Sequence, residues 1–279
     1  MNTQLAGGNT LYPTVDRGLA RRLERAEATA NAAFVEARRE LQPDAAAAWI
    51  EVAGVYAMFD GAASPLTQTF GLGLFDPFLA PEFAEVEAFF KARGAATFHE
   101  VSSFAAPETL NLLSARGYVP IEASAVLIRP TSSPNRASGQ ITVHHIDDDE
   151  ARLWARVAAQ GWSSESEELA TFVEELGSVI SGARGSHCFL AELDEQPIAA
   201  AALNISHDVA LLAGASTIPA ARRRGAQLAL LEARLGFAAA QGIDLAMVVT
   251  QPGSASQRNA QRQGFRPVYT RSKWQRLPS

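Results

Sequence analysis

Arg222, Arg223 and Arg224 stand in a row directly before Gly225 and the apolar stretch AQLALLEARL. The chain around them is acidic, with 24 Lys and Arg against 30 Asp and Glu and a net charge of -6. A helix start presents unpaired backbone N–H groups and the positive end of the helix dipole. Three cations oppose that dipole unless an anion sits among them. Glycine ahead of a helix lets the backbone approach a ligand closely, and arginine adds forked donors that match phosphate. A single dipole–charge contact is worth about 0.3–1 kcal/mol, so several must converge to hold a phosphate. The chemistry this stretch offers is therefore phosphate binding at a strand–loop–helix junction. Two common nucleotide signatures are missing. No G-x-x-x-x-G-K-[ST] occurs, and FGLGLFD has Gly71 and Gly73 but Asp76 in place of a third glycine.

The elements that must carry this loop follow from the pattern. The 279 residues suit two domains. RPTSSPNRASGQ, residues 129 to 140, has no apolar period and reads as a linker. It separates a first domain, 1–130, from a second, 141–279, with 131–140 between. The second half alternates strand and helix signals: strand ITVHHI, helix DDDEARLWARVAAQGW, a further helix over about 166–181, and a hairpin turning near Asp194 and Glu195. VALLAGASTI is a strand; the arginine loop, a helix to about Ala240, the strand DLAMVVT, a short helix from about Ser254 and a last strand near YTRSKWQRL follow. The fold class is α/β (α+β), with hairpins rather than a regular βαβ series.

The halves echo each other. Gly94, Gly117, Tyr118 and Pro120 in the first match Gly242, Gly264, Phe265 and Pro267 in the second, in the same order. This long period points to a duplicated domain.

Composition narrows the function. A pI near 5.5 argues against general nucleic-acid binding. The one cysteine, Cys188, makes no internal disulfide, and no Cys/His spacing suggests a metal; a reducing cytoplasm fits this usage. In HHIDDDE the acids read as a helix cap, with Asp147 and Glu150 as a capping box. No apolar run reaches membrane-spanning length, and the first residues lack the pattern of a secretory signal.

STIPAARRRGAQLALL resembles the acetyl-CoA-binding motif of the GNAT (GCN5-related) N-acetyltransferase superfamily, x-x-P-x-x-[RQ]-x-x-G-x-[GA] between a strand and a helix. Pro219, Arg222 and Gly225 match it; Gln227 departs, where the family has Gly or Ala. SASQRNAQRQGF resembles the family's later helix, which ends in Gly-Phe, here Gly264 and Phe265. The resemblance covers about 141 to 279. It implies two GNAT-like domains, each a mixed, mostly antiparallel sheet flanked by helices. It also implies acetyl-CoA as co-substrate, with no metal. The pantetheine arm would pair with Ser216, Thr217 and Ile218. The pyrophosphate would rest on the N–H groups of Arg223, Arg224, Gly225, Ala226 and Gln227 beside Arg222. Asn259 would reach the cofactor, or else cap or pack its helix.

The activity implied is direct attack of a primary amine on the thioester. The acceptor implied is an amine on a small molecule or peptide. The tyrosine that often protonates the leaving thiolate is replaced by Ala260. Tyr269 is the nearest tyrosine downstream. No acid lies in VALLAGASTI; His207 and Asp208 flank it as base candidates, or form a hairpin turn. The acidic run SSESEELATFVEEL, with Glu165, Glu167, Glu168, Glu174 and Glu175, borders the acceptor cleft by the resemblance and would attract a cationic amine, or else form a solvated face.

The first-half counterpart of the arginine loop, after LTQTFGLGLF, carries Asp76 and Glu82 instead. Acid there satisfies the dipole and repels phosphate. The first half reads as a degenerate GNAT-like domain without a cofactor site, serving in packing, in shaping the acceptor cleft or in forming a homodimer.

Overall fold

The computed structural model of the chain describes residues 12–131, 140–162 and 167–276. Most of the linker and the start of the acidic run lie outside these residues. So do the side chains of residues 167–170 and 172, which include Glu167 and Glu168.

The first half runs α1 (Arg17–Leu41), β1 (Ala48–Val52), β2 (Val55–Phe59), β3 (Gln68–Phe70), α2 (Ala80–Lys91), β4 (Phe98–Ser102), α3 (Pro107–Ala115) and β5 (Tyr118–Pro130). The second runs β6 (Ile141–His145), α4 (Ala151–Trp162), α5 (Glu167–Gly182), β7 (Ser186–Leu193), β8 (Gln196–Ser206), β9 (Val209–Thr217), α6 (Ala226–Ala240), β10 (Leu245–Thr250), α7 (Ala255–Arg262) and β11 (Arg266–Arg276).

These strands form one eleven-stranded sheet, ordered β1-β2-β3-β4-β11-β5-β10-β9-β8-β7-β6. It is mixed and mostly antiparallel: only β3–β4 and β9–β10 pair in parallel among the described residues. The order shows that the halves exchange their last strands. β5 of the first half lies between β10 and β11 of the second, and β11 lies between β4 and β5 of the first. The two exchanged strands pair with each other from Arg266↔Ile128 to Arg276↔Tyr118. Residues 131–140 lie between β5 and β6 in sequence, while in space the two halves interleave through β5 and β11.

Alternation on β5 shows how the sheet is covered. Ala125 and Leu127 pack with Leu230 and Leu235 of α6. Val126 and Ile128 pack with Leu19 and Leu23 of α1 on the opposite face, as a period of two requires. α2 and α3 bury Phe83, Val86, Phe90 and Leu113 on the α6 side. α4 buries Trp154 and Val157 on the α1 side.

α1 has no counterpart in the sequence reading above. Asp16 caps it, accepting from the Leu19 N–H at 2.8 Å. Leu19, Leu23, Ala26, Ala30, Ala33 and Ala37 recur every three or four residues along its buried stripe. At 1.5 Å per residue its 25 residues span about 37 Å, enough to bridge both halves. It anchors a buried ionic cluster where the halves meet. Arg271 of β11 contacts Glu27 at 2.6 Å, Glu24 at 3.4 Å and Glu100 of β4 at 3.4 Å. Tyr269 donates to Glu24 at 2.8 Å and Ser124 donates to Glu100 at 2.9 Å. Burial pushes the Glu24 carboxyl up to about 7, against the pull of Arg271. Burial pulls the Arg271 pKa down, but the three carboxylates outweigh it and hold the proton more firmly than usual.

Candidate functional site

β9 and β10 pair through Val209↔Leu245, Ala210↔Ala246 and Leu211↔Met247, and there the pairing stops. β10 stays paired with β5 up to Thr250↔Ala125, and β9 stays paired with β8 up to Thr217↔Ala199. The two strands therefore part at their C-terminal ends, and their free backbone edges face each other across a wedge. β9 also carries a bulge. Its pairing with β8 steps from Ala213↔Ala202 to Ser216↔Ala200, so Gly214 and Ala215 oppose Ala201 alone. Gly214 has φ 60°, a conformation that favours glycine.

The expected pantetheine partners sit along this edge, and they divide. Ile218 N–H already donates to Ile198 O on β8 at 2.9 Å. Strand alternation then turns the Thr217 backbone into the wedge. Ser216 anchors β9 to α4 through its hydroxyl, which donates to Ala158 O at 2.9 Å. A Cβ added to Gly161 would meet that serine side chain at 2.4 Å, which shows how closely α4 approaches.

At the mouth of the wedge a single 3-10 turn, Pro219–Ala221, leads into the arginine loop. Arg223 and Gly225 take left-handed φ values of 65° and 91°. The first α6 hydrogen bond runs from Ala229 N–H to Gly225 O at 3.0 Å. Ahead of it, the N–H groups of residues 223 to 228 meet no backbone or side-chain acceptor among the described residues.

The arginines play different parts. The Arg222 guanidinium turns inward and donates to Gly161 O at 3.0 Å and Thr217 O at 3.4 Å, bracing the loop against α4 and β9. Arg223 and Arg224 are exposed, and no ion pair holds them among the described residues. Gln227, the departure from the motif, points back to the strand and donates to the Thr217 hydroxyl at 2.8 Å. It leaves its own N–H unpaired at the helix start.

A family model described as the acetyltransferase (GNAT) family matches residues 144–265, the stretch that builds this wedge and loop. That match covers most of the second half of the chain.

The solved structures similar to this chain extend the likeness to both halves. A GCN5-related N-acetyltransferase from Kribbella flavida is 20% identical with a TM-score of 0.59, over 88% of this chain and 96% of that one. A tandem GNAT protein from the clavulanic acid biosynthesis pathway is 13% identical with a TM-score of 0.60, over 93% and 96%. A GCN5-related N-acetyltransferase from Sphaerobacter thermophilus is 14% identical with a TM-score of 0.51, over 95% of each chain. At these identities the likeness is one of fold. No curated protein matches the chain.

Within the second half, the side chains proposed for chemistry are not gathered at the wedge. His207 and Asp208 form the β8–β9 turn, with φ 48° and 57°. That turn lies at the closed end of β9, and α1 holds it: Thr29 bonds His207 at 3.0 Å and Arg22 donates to Asp208 O at 2.6 Å. Tyr269 is buried two strands from β10, and its hydroxyl is committed to Glu24. Burial and the Glu24 charge hold its proton well above the usual phenol range. Ala260 packs into the α6-side core, and Phe265 N–H closes the α7 turn onto its carbonyl at 3.0 Å. Asn259 is exposed on α7, where its side-chain oxygen accepts from Arg262 at 2.8 Å.

His144 and the three aspartates form no metal centre. His144 bonds Glu150 at 3.1 Å, and Glu150 reaches back to Asp147 N–H at 3.0 Å, the helix-capping arrangement expected. Among the described residues no group of three or more His, Cys, Asp or Glu is placed to hold a metal. Cys188 is buried, and burial pushes its thiol up to about 12. No described helix is long and apolar enough to cross a membrane.

The first-half counterpart of the wedge is occupied by the chain itself. β3 and β4 pair in parallel only at Thr69↔His99. Beyond that point Gly73 O accepts from Ala106 N–H at 3.1 Å and from Arg17 at 3.0 Å. Arg21 donates to Leu74 O at 2.6 Å and to Phe75 O at 3.3 Å. At the α2 start Glu82 accepts from Leu79 N–H at 2.9 Å. Sequence reasoning found the acids at this helix start. It missed Arg17 and Arg21, whose signal was two arginines four residues apart on an amphipathic helix.

Proposed function

We propose that the chain transfers an acetyl group from acetyl-CoA to a primary amine, at one site, in its second half. The observation that carries this is the wedge between β9 and β10 leading to the unpaired N–H groups of residues 223 to 228. A flexible amide-bearing arm fits the wedge as an added strand, and a diphosphate fits the N–H cradle. Arg223 and Arg224 supply the positive field over it, while Arg222 and Gln227 shape the loop rather than touch the ligand.

In the reaction the amine nitrogen attacks the thioester carbonyl, a C–N bond forms and the C–S bond breaks. The electron pair leaves on sulfur, which takes up a proton as the nitrogen releases one. Holding both reactants together supplies much of the rate. The N–H of Gly214, at the bulge where neither neighbouring strand supplies a register partner, stabilises the charge that develops on oxygen. Among the described residues, the tyrosine position is Ala260 and Tyr269 is committed to Glu24, so we assign water as the proton source for the thiolate.

The first half is inactive because Arg17, Arg21 and Glu82 occupy its counterpart groups. It serves instead as one wall of the acceptor site. Pro120–Ala123 of β5 continue, exposed, beyond the end of β10, beside the open end of the wedge. The exposed Glu174 and Glu175 on α5 favour a cationic acceptor. The buried free thiol of Cys188 suits a reducing cytoplasm.

A second reading, a catalytically inactive CoA-binding regulator or scaffold, is favoured by Ala260 and by the commitment of Tyr269 to Glu24. Acetyl-CoA turnover against a panel of primary amines, followed by thiol release, separates the two. Release with at least one amine is expected. Saturable CoA binding with no release for any amine supports the second reading.

A further inference from the structure

Arg234, in the middle of α6, is 4% exposed and has no carboxylate in ion-pair reach among the described residues. Its guanidinium donates instead to carbonyls: Leu230 at 3.1 Å, Ala202 on β8 at 2.9 Å and Ala213 on β9 at 3.4 Å. Burial draws its pKa down to about 10, so it is still charged at neutral pH. A buried cation without a counter-ion carries a desolvation cost. Its surroundings, Leu203, Leu212, Leu230 and Leu235, are an apolar core that an apolar side chain would fill without that cost. Packing does not account for an arginine here.

Its position does. Ala213 is the last residue before the bulge at Gly214. The two-residue turn makes Ser206↔Val209 a hydrogen-bonded pair, and alternation makes Ala202↔Ala213 one as well. Ala213 O therefore points at β8 and, through Arg234, towards α6. In a trans peptide the C=O and the following N–H point in opposite directions. Gly214 N–H is thus aimed away from β8 and into the wedge. A glycine in a bulge is free to rotate this peptide; the guanidinium pins it.

Resting on the acetyl-transfer reading, we infer that Arg234 is the positioning residue of the oxyanion site. It fixes the Ala213–Gly214 peptide so that Gly214 N–H meets the thioester carbonyl. By donating to Ala213 O it also makes that N–H a stronger donor, as linked hydrogen bonds polarise one another.

The test compares wild type with Arg234→Met and Arg234→Lys. Two quantities are measured: CoA affinity, and the infrared carbonyl stretch of bound acetyl-CoA labelled with carbon-13 at the acetyl carbonyl. In wild type the stretch is displaced from its free value. In Arg234→Met it returns towards that value and kcat falls about 10- to 100-fold, below the loss of a whole oxyanion donor, while CoA affinity stays within about threefold. Arg234→Lys, which keeps the charge, restores part of both and stands in for Arg234→Met if that variant does not fold. A bound carbonyl equally displaced in wild type and both variants, or an unchanged kcat, overturns the inference while leaving the acetyl-transfer reading intact. A wild type that binds no acetyl-CoA overturns the reading itself, and the inference with it.

Discussion

At the scale of single residues, three adjacent arginines divide their labour. Arg222 is folded onto Gly161 and Thr217 carbonyls, whereas Arg223 and Arg224 remain exposed over the N–H cradle. Charge reversal at Arg223 and Arg224 is expected to weaken acetyl-CoA binding at least tenfold without moving the melting temperature; titration calorimetry and thermal unfolding check this. Gln227→Ala removes the tie to Thr217 and is expected to cost about 0.5–1.5 kcal/mol of stability, read from denaturant midpoints, with the cradle N–H groups left in place. The motif's charge and glycine were legible in sequence because loop chemistry is local. The direction of each side chain was not, because it depends on α4 and β9 arriving from elsewhere in the chain.

Glu24 gives a pH prediction at the same scale. Its folded pKa, about 7, lies above the ordinary value of 4.5. Between those values the folded state binds more protons than the unfolded one, so this group's stabilisation is complete below about pH 4.5. It is lost as pH rises through about 7. Glu100, also raised by burial, acts in the same direction. Glu24→Gln is expected to flatten the fall in melting temperature across that window. An equally steep fall in the variant would show that the charge resides elsewhere.

At the scale of elements, the second half was readable because its strands and helices are long, regularly patterned and separated by turn residues. Asp194 and Glu195 do form the hairpin turn, with φ 51° and 63°. Ser254 does cap α7, accepting from Gln257 N–H at 3.1 Å. The exchange of β5 and β11 was not readable. Alternation tells a strand which face it buries but not which neighbour it pairs with, and both strands alternate equally well. The exchange predicts that residues 141–279 alone do not form a stable monomer, because β10 and β11 lose the strand between them. Co-expression with residues 1–130 is expected to restore a soluble, co-purifying pair, seen by size-exclusion chromatography and hydrogen exchange. A stable, acetyl-CoA-binding 141–279 fragment would contradict the account.

At the scale of the whole molecule, the central β11–β5 pair sets two wedges in opposite directions, since β4 and β10 run antiparallel. The duplication legible in the paired glycines is thus a duplication of wedges. In one, α1 arginines and a glutamate satisfy the backbone; in the other, the backbone is left open. That asymmetry is the account's central claim, and titration of the full chain with acetyl-CoA tests it most directly. One equivalent is expected per chain, with the affinity lost on charge reversal at Arg223 and Arg224. Two equivalents, none, or binding indifferent to those arginines would contradict it.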